Sequence, residues 1–468
     1  MKHRILAALL SAALFLSLAG CVAAPDIPQP TLEELLDQVN AEHQSIQREE
    51  LDPTPYLRTS LSDESWMKIS AYITNTRSDY DPDLELTHSQ AVEDINYLFD
   101  AFYYAYGFYD YFGGHAAFDA AQEKMLEALE TKDTLTCQEL EQIIVSQLGF
   151  IKDGHFRINE TSPSPTQVPF FFRQAAFLKT EDGYQTVNGK TVESVENHTD
   201  LDELFKRSIS KEGQIVYYPV LLKEAVFDGQ SEFKNHICDE KLTVHYTDGT
   251  TETLTAEPWK LYYENLPKDQ NTDLRETDGI PVFQFNNFDK DYQRATINGA
   301  QELRAKPVSM LDLRSNTGGA ASVLHSWINR YAYGQNVPSN GLQFSSYDGS
   351  SENALEDGWI DHDNLLILLT GKITASSGEI MLDTACNLEN ILIVGENTYG
   401  AMLGNSGRVE LPNSKTAVQM SMYNFYLTPE GYDYFEELRG FEPDLWVPAG
   451  EAETLAAKLI QRLSGAGE

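Results

Sequence analysis

The segment from Leu365 to Leu388 constrains the fold more than any other part of the chain. Its first five residues, Leu365-Leu366-Ile367-Leu368-Leu369, carry no polar side chain, so a strand here must be covered on both faces. Strands of that kind sit in parallel sheets with helices packed on either side. Next come the small, turn-forming residues Thr374-Ala375-Ser376-Ser377-Gly378-Glu379, and from Ile380 to Leu388 the apolar residues return at helical spacing. The expectation is a buried strand, a tight turn and a helix. A side chain on such a turn is exposed beside the helix N-terminus, where backbone N–H groups and a partial positive charge gather. An oxyanion formed there would be stabilised. The plainer alternative is a serine N-cap in a Ser/Gly turn.

The same alternation runs through the C-terminal part. Pro281–Phe285, Val308–Leu313 and Ile391–Val394 read as strands, and Tyr292–Arg304, Ala320–Tyr331 and Ser377–Leu388 as helices. Residues 271–468 are therefore expected to form an α/β core. Residues 161–270 read as β-rich, with one hairpin turning at Asn188-Gly189 and another, Leu242–Leu254, turning at Asp248-Gly249. Residues 61–160 read as a helical subdomain, with Val92, Ile95, Leu98, Phe99 and Phe102 at helix spacing. The aromatic cluster from Phe102 to Phe112 is expected to be core and turn packing rather than a cleft lining.

At the N-terminus, Met-Lys-His-Arg precedes an apolar run from Ile5 to Leu18 and then Ala19-Gly20-Cys21. Residues 1–20 read as a secretory signal peptide, too short to span a membrane comfortably. Residues 21–60, with five prolines, read as a tether holding one short helix, Thr31–Gln47. Leu18-Ala19-Gly20-Cys21 resembles a bacterial lipobox, which implies lipidation of Cys21 and anchorage at the outer face of a cytoplasmic membrane. The other cysteines, Cys137, Cys238 and Cys386, form no CxxC pair and suggest neither a disulfide framework nor a zinc site. The formal charge of −38 argues against nucleic acid as a partner.

Four further segments stand in a telling order. They are Leu148-Gly149-Phe150-Ile151-Lys152-Asp153-Gly154-His155, Leu311-Asp312-Leu313-Arg314-Ser315-Asn316-Thr317-Gly318-Gly319, Val394-Gly395-Glu396-Asn397-Thr398-Tyr399-Gly400 and Glu437-Leu438-Arg439-Gly440-Phe441-Glu442-Pro443-Asp444. Together with the serine turn they resemble the tail-specific (C-terminal-processing) serine protease family over roughly residues 90–448. The resemblance implies a core related to the ClpP and crotonase folds and a β-rich, PDZ-like middle domain. It places the nucleophile at Ser376. One branch of the family activates that serine with a lysine just after the V-G-E-x-T-x-G segment. Here that position is Ala401, so the lysine mechanism is rejected. The other branch, similar to the tricorn core protease, uses a histidine, and His155 falls on it. That branch also carries a glutamate matched by Glu437, with Glu436 as the near alternative, expected to orient polar groups around the nucleophile.

The chemistry agrees with the histidine branch. A serine hydroxyl needs a base, and a histidine with an ordinary pKa of about 6.5 serves near neutral pH. The resemblance also assigns the oxyanion N–H groups to Gly318 or Gly319 and to Ser377. Arg314 is expected to pair with Asp312 in a structural role. The resulting expectation is a lipid-anchored extracellular serine endopeptidase acting on peptide or protein substrates, with no cofactor and no metal. The competing expectation is an inactive peptide-binding lipoprotein on the same fold, gripping C-termini by strand addition.

Overall fold

The computed structural model describes residues 29–46, 51–58, 66–74, 78–227, 233–234, 240–267, 269–351, 358–429 and 432–465. The expected signal peptide, Cys21 and Cys238 lie outside the described residues. No described helix is long and apolar enough to cross a membrane.

The centre of the molecule is a six-stranded sheet in the order Thr272–Thr277, Ile280–Phe285, Val308–Asp312, Leu365–Thr370, Ile391–Gly395 and Leu445–Trp446. The first pair is antiparallel, and every later pair is parallel. Because strand side chains alternate, each inner strand feeds two cores. Leu366, Leu368, Ile391 and Ile393 pack with Val323, Leu324, Trp327 and Ile328 on one face. Leu365, Ile367, Leu369, Leu392 and Val394 pack with Leu455, Leu459 and Ile460 on the other. This is the two-sided burial that the all-apolar Leu365–Leu369 run requires. The crossover helices are Gln293–Arg304, Ala321–Tyr331 and Ser377–Ala385, and Ala452–Gly465 closes the opposite face.

The second face holds a correction. The helix expected inside a tether, observed as Leu32–Gln44 with a Thr31–Glu34 capping box, is docked on the sheet. Leu35 and Val39 join the core there, and the His43 ring meets Asp444 at 3.0 Å. Its apolar face repeats at i, i+4 and has no solvent-facing alternative, so burial overrides the proline-rich surroundings.

Helices His88–Ala105, Gly114–Leu129 and Cys137–Gln147 form the N-terminal region. Their apolar faces share one cluster with Val409, Val418, Met420 and Phe425, from the long excursion between the last two core strands. The aromatic cluster is core: Phe102, Tyr106 and Phe108 are fully buried. Short strand Arg157–Ile158 pairs with Ala417–Met420 in that excursion, so the segment that follows the helices is held to the α/β core.

Between 161 and 270 lie two sheets, one built around the long strand Ile215–Phe227 and one of Val192–Val195, Lys241–Tyr246 and Thr251–Thr255. The Asp248-Gly249 hairpin forms as expected, with Gly249 at φ +79°. The Asn188-Gly189 turn also forms, but its arms part after a single bridge, Gln185 to Thr191, and enter different sheets. The turn residues fix the reversal and not the pairing beyond it.

Candidate active site

Ser376 caps the helix Ser377–Ala385 with φ +56° and ψ −123°. A non-glycine residue with that backbone is strained by about 1–3 kcal/mol and persists only where its surroundings hold it. Three contacts do so. Ser376 N–H donates to Glu379 Oε2 at 3.0 Å. Ala375 N–H donates to Asn316 O at 3.0 Å. Gly318, at φ +101°, lies so close that a Cβ on it would stand 2.7 Å from Ser376 Cβ. The strained turn pushes the serine side chain into a cleft of about 720 Å³.

His155 lines the same cleft. It arrives on the loop after helix Cys137–Gln147, where Gly154 is pressed against the opposite wall: a Cβ there would meet Gly400 O at 2.2 Å and Ala401 Cα at 2.7 Å. No hydrogen bond joins His155 to Ser376 in this structure. Catalytic hydrogen bonds of apo sites are often long and tighten when substrate binds. Burial, with the Arg157 guanidinium beside it, pushes the imidazole down to about 4. The imidazole is therefore neutral at physiological pH.

The expected oxyanion donors separate. Gly318 N–H is already given to Asn316 Oδ1 at 2.8 Å, so Gly318 contributes close approach and not a donor. Gly319 and Ser377 both line the cleft, and no hydrogen bond among the described residues occupies either N–H. Ser377 Oγ donates to Gly319 O at 2.7 Å, which locks the two donors together. Asn316 also donates to Phe285 O at 2.7 Å and thereby anchors the glycine loop to the sheet.

Glu437 makes no hydrogen bond to the His155 ring. Its Oε1 accepts from Gly154 N–H at 2.8 Å, and its Oε2 accepts from Met402 and Leu403 N–H at 3.1 and 3.0 Å. Burial, with Asp153 nearby, pushes this carboxyl well above its ordinary range. It joins the His155 loop to the 400–403 wall. Glu436, its neighbour, is exposed in a short ribbon with Gly440.

Arg314 pairs with Asp312 at 2.9 and 2.7 Å and with Glu453 at 2.6 Å, away from the cleft, which is the structural role expected of it. Among the described residues, no group of three His, Cys, Asp or Glu could hold a metal ion.

Sequence reasoning passed over four residues that shape the site. Glu379 accepts from Ser376, Gly400 and Ala401 N–H. Its signal was present, since Ser-x-x-Glu is a capping pattern. Asn316 stood within a quoted motif but was given no role. Asp153, two residues before His155, is fully enclosed and accepts from Tyr106 Oη at 3.0 Å and from His155 N–H at 2.9 Å. Lys372 is buried four residues before Ser376, with Nζ donating to the carbonyls of Thr398, Tyr399 and Arg439. Nothing in a sequence marks a lysine that will be buried.

A strained serine at a helix N-terminus, a neutral histidine across the same cleft and two free N–H groups beside the serine are the parts of a serine peptidase. That class is met by the comparison with known families: residues 280–447 match the model described as peptidase family S41, and the chain carries a peptidase family S41 domain. Among solved structures, a photosystem II D1 C-terminal processing protease is 15% identical, with 80% of this chain and 97% of that one covered at a TM-score of 0.38. A lipoprotein from Streptococcus agalactiae is 12% identical, with 84% and 99% covered at 0.39. The tricorn protease is 14% identical, with 81% and 37% covered at 0.34. No curated protein matches the chain.

Proposed function

We propose that this serine peptidase is an extracellular endopeptidase, tethered through lipid on Cys21 to the outer face of a bacterial cytoplasmic membrane. Ser376 Oγ attacks a peptide carbonyl while His155 takes its proton. The C–O bond forms, the negative oxygen lies between the Gly319 and Ser377 N–H groups, and the C–N bond breaks as His155 returns the proton to the leaving amine. Water then hydrolyses the ester and restores the serine. The observation that carries this reading is the left-handed Ser376 turn opening into the cleft that His155 also lines. The Leu18-Ala19-Gly20-Cys21 sequence supports the anchor.

The test is labelling of the full-length chain with a fluorophosphonate probe, beside Ser376→Ala and His155→Ala. Labelling lost in both variants is the expected result. Absence of labelling in a folded wild-type chain would favour a peptide-binding protein on this fold. Metabolic incorporation of an alkyne fatty acid, lost in Cys21→Ser, tests the anchor.

A further inference from the structure

His155 Nδ1 is buried and has no hydrogen-bond partner. That is an unstable arrangement for a catalytic base. When the ring accepts the serine proton at Nε2, Nδ1 carries a hydrogen that needs an acceptor, and the imidazolium needs a balancing charge. Two carboxylates stand near. Glu437 is the one a family resemblance would choose, yet its oxygens accept from the N–H groups of Gly154, Met402 and Leu403 and form no ion pair with the ring.

Asp153 is placed differently. Its Oδ1 stands 3.9 Å from His155 Nδ1, about 1 Å beyond an ordinary hydrogen bond. The same carboxylate is fixed by the Tyr106 hydroxyl and by the backbone N–H of His155 itself. The carboxylate and the ring therefore sit two residues apart on one loop, with the carboxylate held from the helix side by Tyr106. We propose that Asp153, and not Glu437, is the positioning residue for His155: it fixes the Nδ1–H tautomer and balances the imidazolium formed during acyl transfer. In the present geometry burial holds Asp153 up to about 6, and burial with the Arg157 guanidinium holds His155 down to about 4. Closure of the contact favours both charged forms and draws the two values apart in the opposite sense.

This inference rests on the Ser376–His155 reading, and the experiment separates the two. Fluorophosphonate labelling rates are measured against pH for the full-length wild-type chain and for Asp153→Asn, Glu437→Gln and His155→Ala. The wild-type acid limb is expected above the value near 4 that burial alone sets. In Asp153→Asn the rate at pH 7 should fall on the order of 10³-fold, and the acid limb should drop by about 1–3 pH units. A merely structural aspartate would lower the rate without moving the limb downward. In Glu437→Gln the limb should move by less than in Asp153→Asn, because Glu437 reaches the ring only through its coupling to Asp153. A limb that moves with Glu437→Gln and not with Asp153→Asn overturns the inference alone. Labelling that survives in His155→Ala overturns the catalytic pair and this inference with it. Should Asp153→Asn fail to fold, the phosphonylated wild-type chain decides: a far-downfield imidazole N–H proton resonance, absent in His155→Ala, supports the contact, and its absence overturns it.

Discussion

Gly318→Ala gives the sharpest test of how the nucleophile is held. Two costs follow from the geometry. At φ +101° an L-residue pays about 1–2 kcal/mol for the left-handed backbone. The new Cβ would also stand 2.7 Å from Ser376 Cβ and 3.0 Å from Ala375 O, and neither atom is the end of a flexible chain. Overpacking of that kind costs about 1–3 kcal/mol. The sum, about 2–5 kcal/mol, should lower the melting temperature by roughly 2–5 °C, because the unfolding entropy of a chain this long is about 1 kcal/mol per kelvin. The larger effect is on chemistry. Ser376 is the atom group that must yield, and a shift of about 1 Å in a reacting group costs on the order of 100-fold in rate. Gly249→Ala is the control: it has φ +79°, but a Cβ there meets nothing within 4 Å. It should pay only the backbone term and leave fluorophosphonate labelling unchanged. If Gly318→Ala labels as fast as Gly249→Ala, the close approach to Ser376 is not what positions the nucleophile.

Lys372→Met should change the pH dependence of stability. Burial pushes the Lys372 amine from 10.5 down to about 7, so the unfolded chain binds this proton more readily than the folded one. The group's contribution is fully present above about 10.5 and is lost as pH falls through about 7. The wild-type melting temperature should therefore rise between pH 7 and about 10 relative to the variant, and parallel curves would refute the shift. Arg314→Met should destabilise the chain by less than the roughly 3–5 kcal/mol of a broken buried pair, since Arg275 still holds Asp312 at 2.6 Å. Labelling per folded molecule, corrected by the melting curve, should be unchanged, and a specific loss of labelling would place Arg314 in the site.

The fold was legible where one physical demand dominates. Leu365–Leu369 could only be a strand covered on both faces, and Ile391–Val394 follows the same rule; both are central strands. The Asp248-Gly249 hairpin was legible for a similar reason, because a left-handed turn residue and two alternating arms leave few options. What failed was whatever depended on a distant partner. The helix Leu32–Gln44 was readable as a helix, but not as a helix docked on the core sheet, because its partners Val394 and Leu455 lie hundreds of residues away. The arms of the Asn188-Gly189 turn likewise went to partners that the local pattern does not name.

The site divides along the same line. Ser376, His155 and Gly319 were singled out by motif, and the structure brings all three to one cleft. The division of labour among the donors and carboxylates was not marked by motif. Gly318 and Gly319 are adjacent and look equivalent, yet one N–H goes to Asn316 and the other faces the cleft. Glu437 and Asp153 are both acidic and both near the histidine loop, yet one accepts from three backbone N–H groups and forms no ion pair with the ring, while the other lies 3.9 Å from an unpaired ring nitrogen. Those distinctions depend on which hydrogen-bond capacity remains unspent after the backbone has been satisfied, and that remainder exists only in three dimensions. The first thing to read in a site of this kind is therefore its unspent donors and acceptors. Here they are two N–H groups beside Ser376 and one imidazole nitrogen facing Asp153.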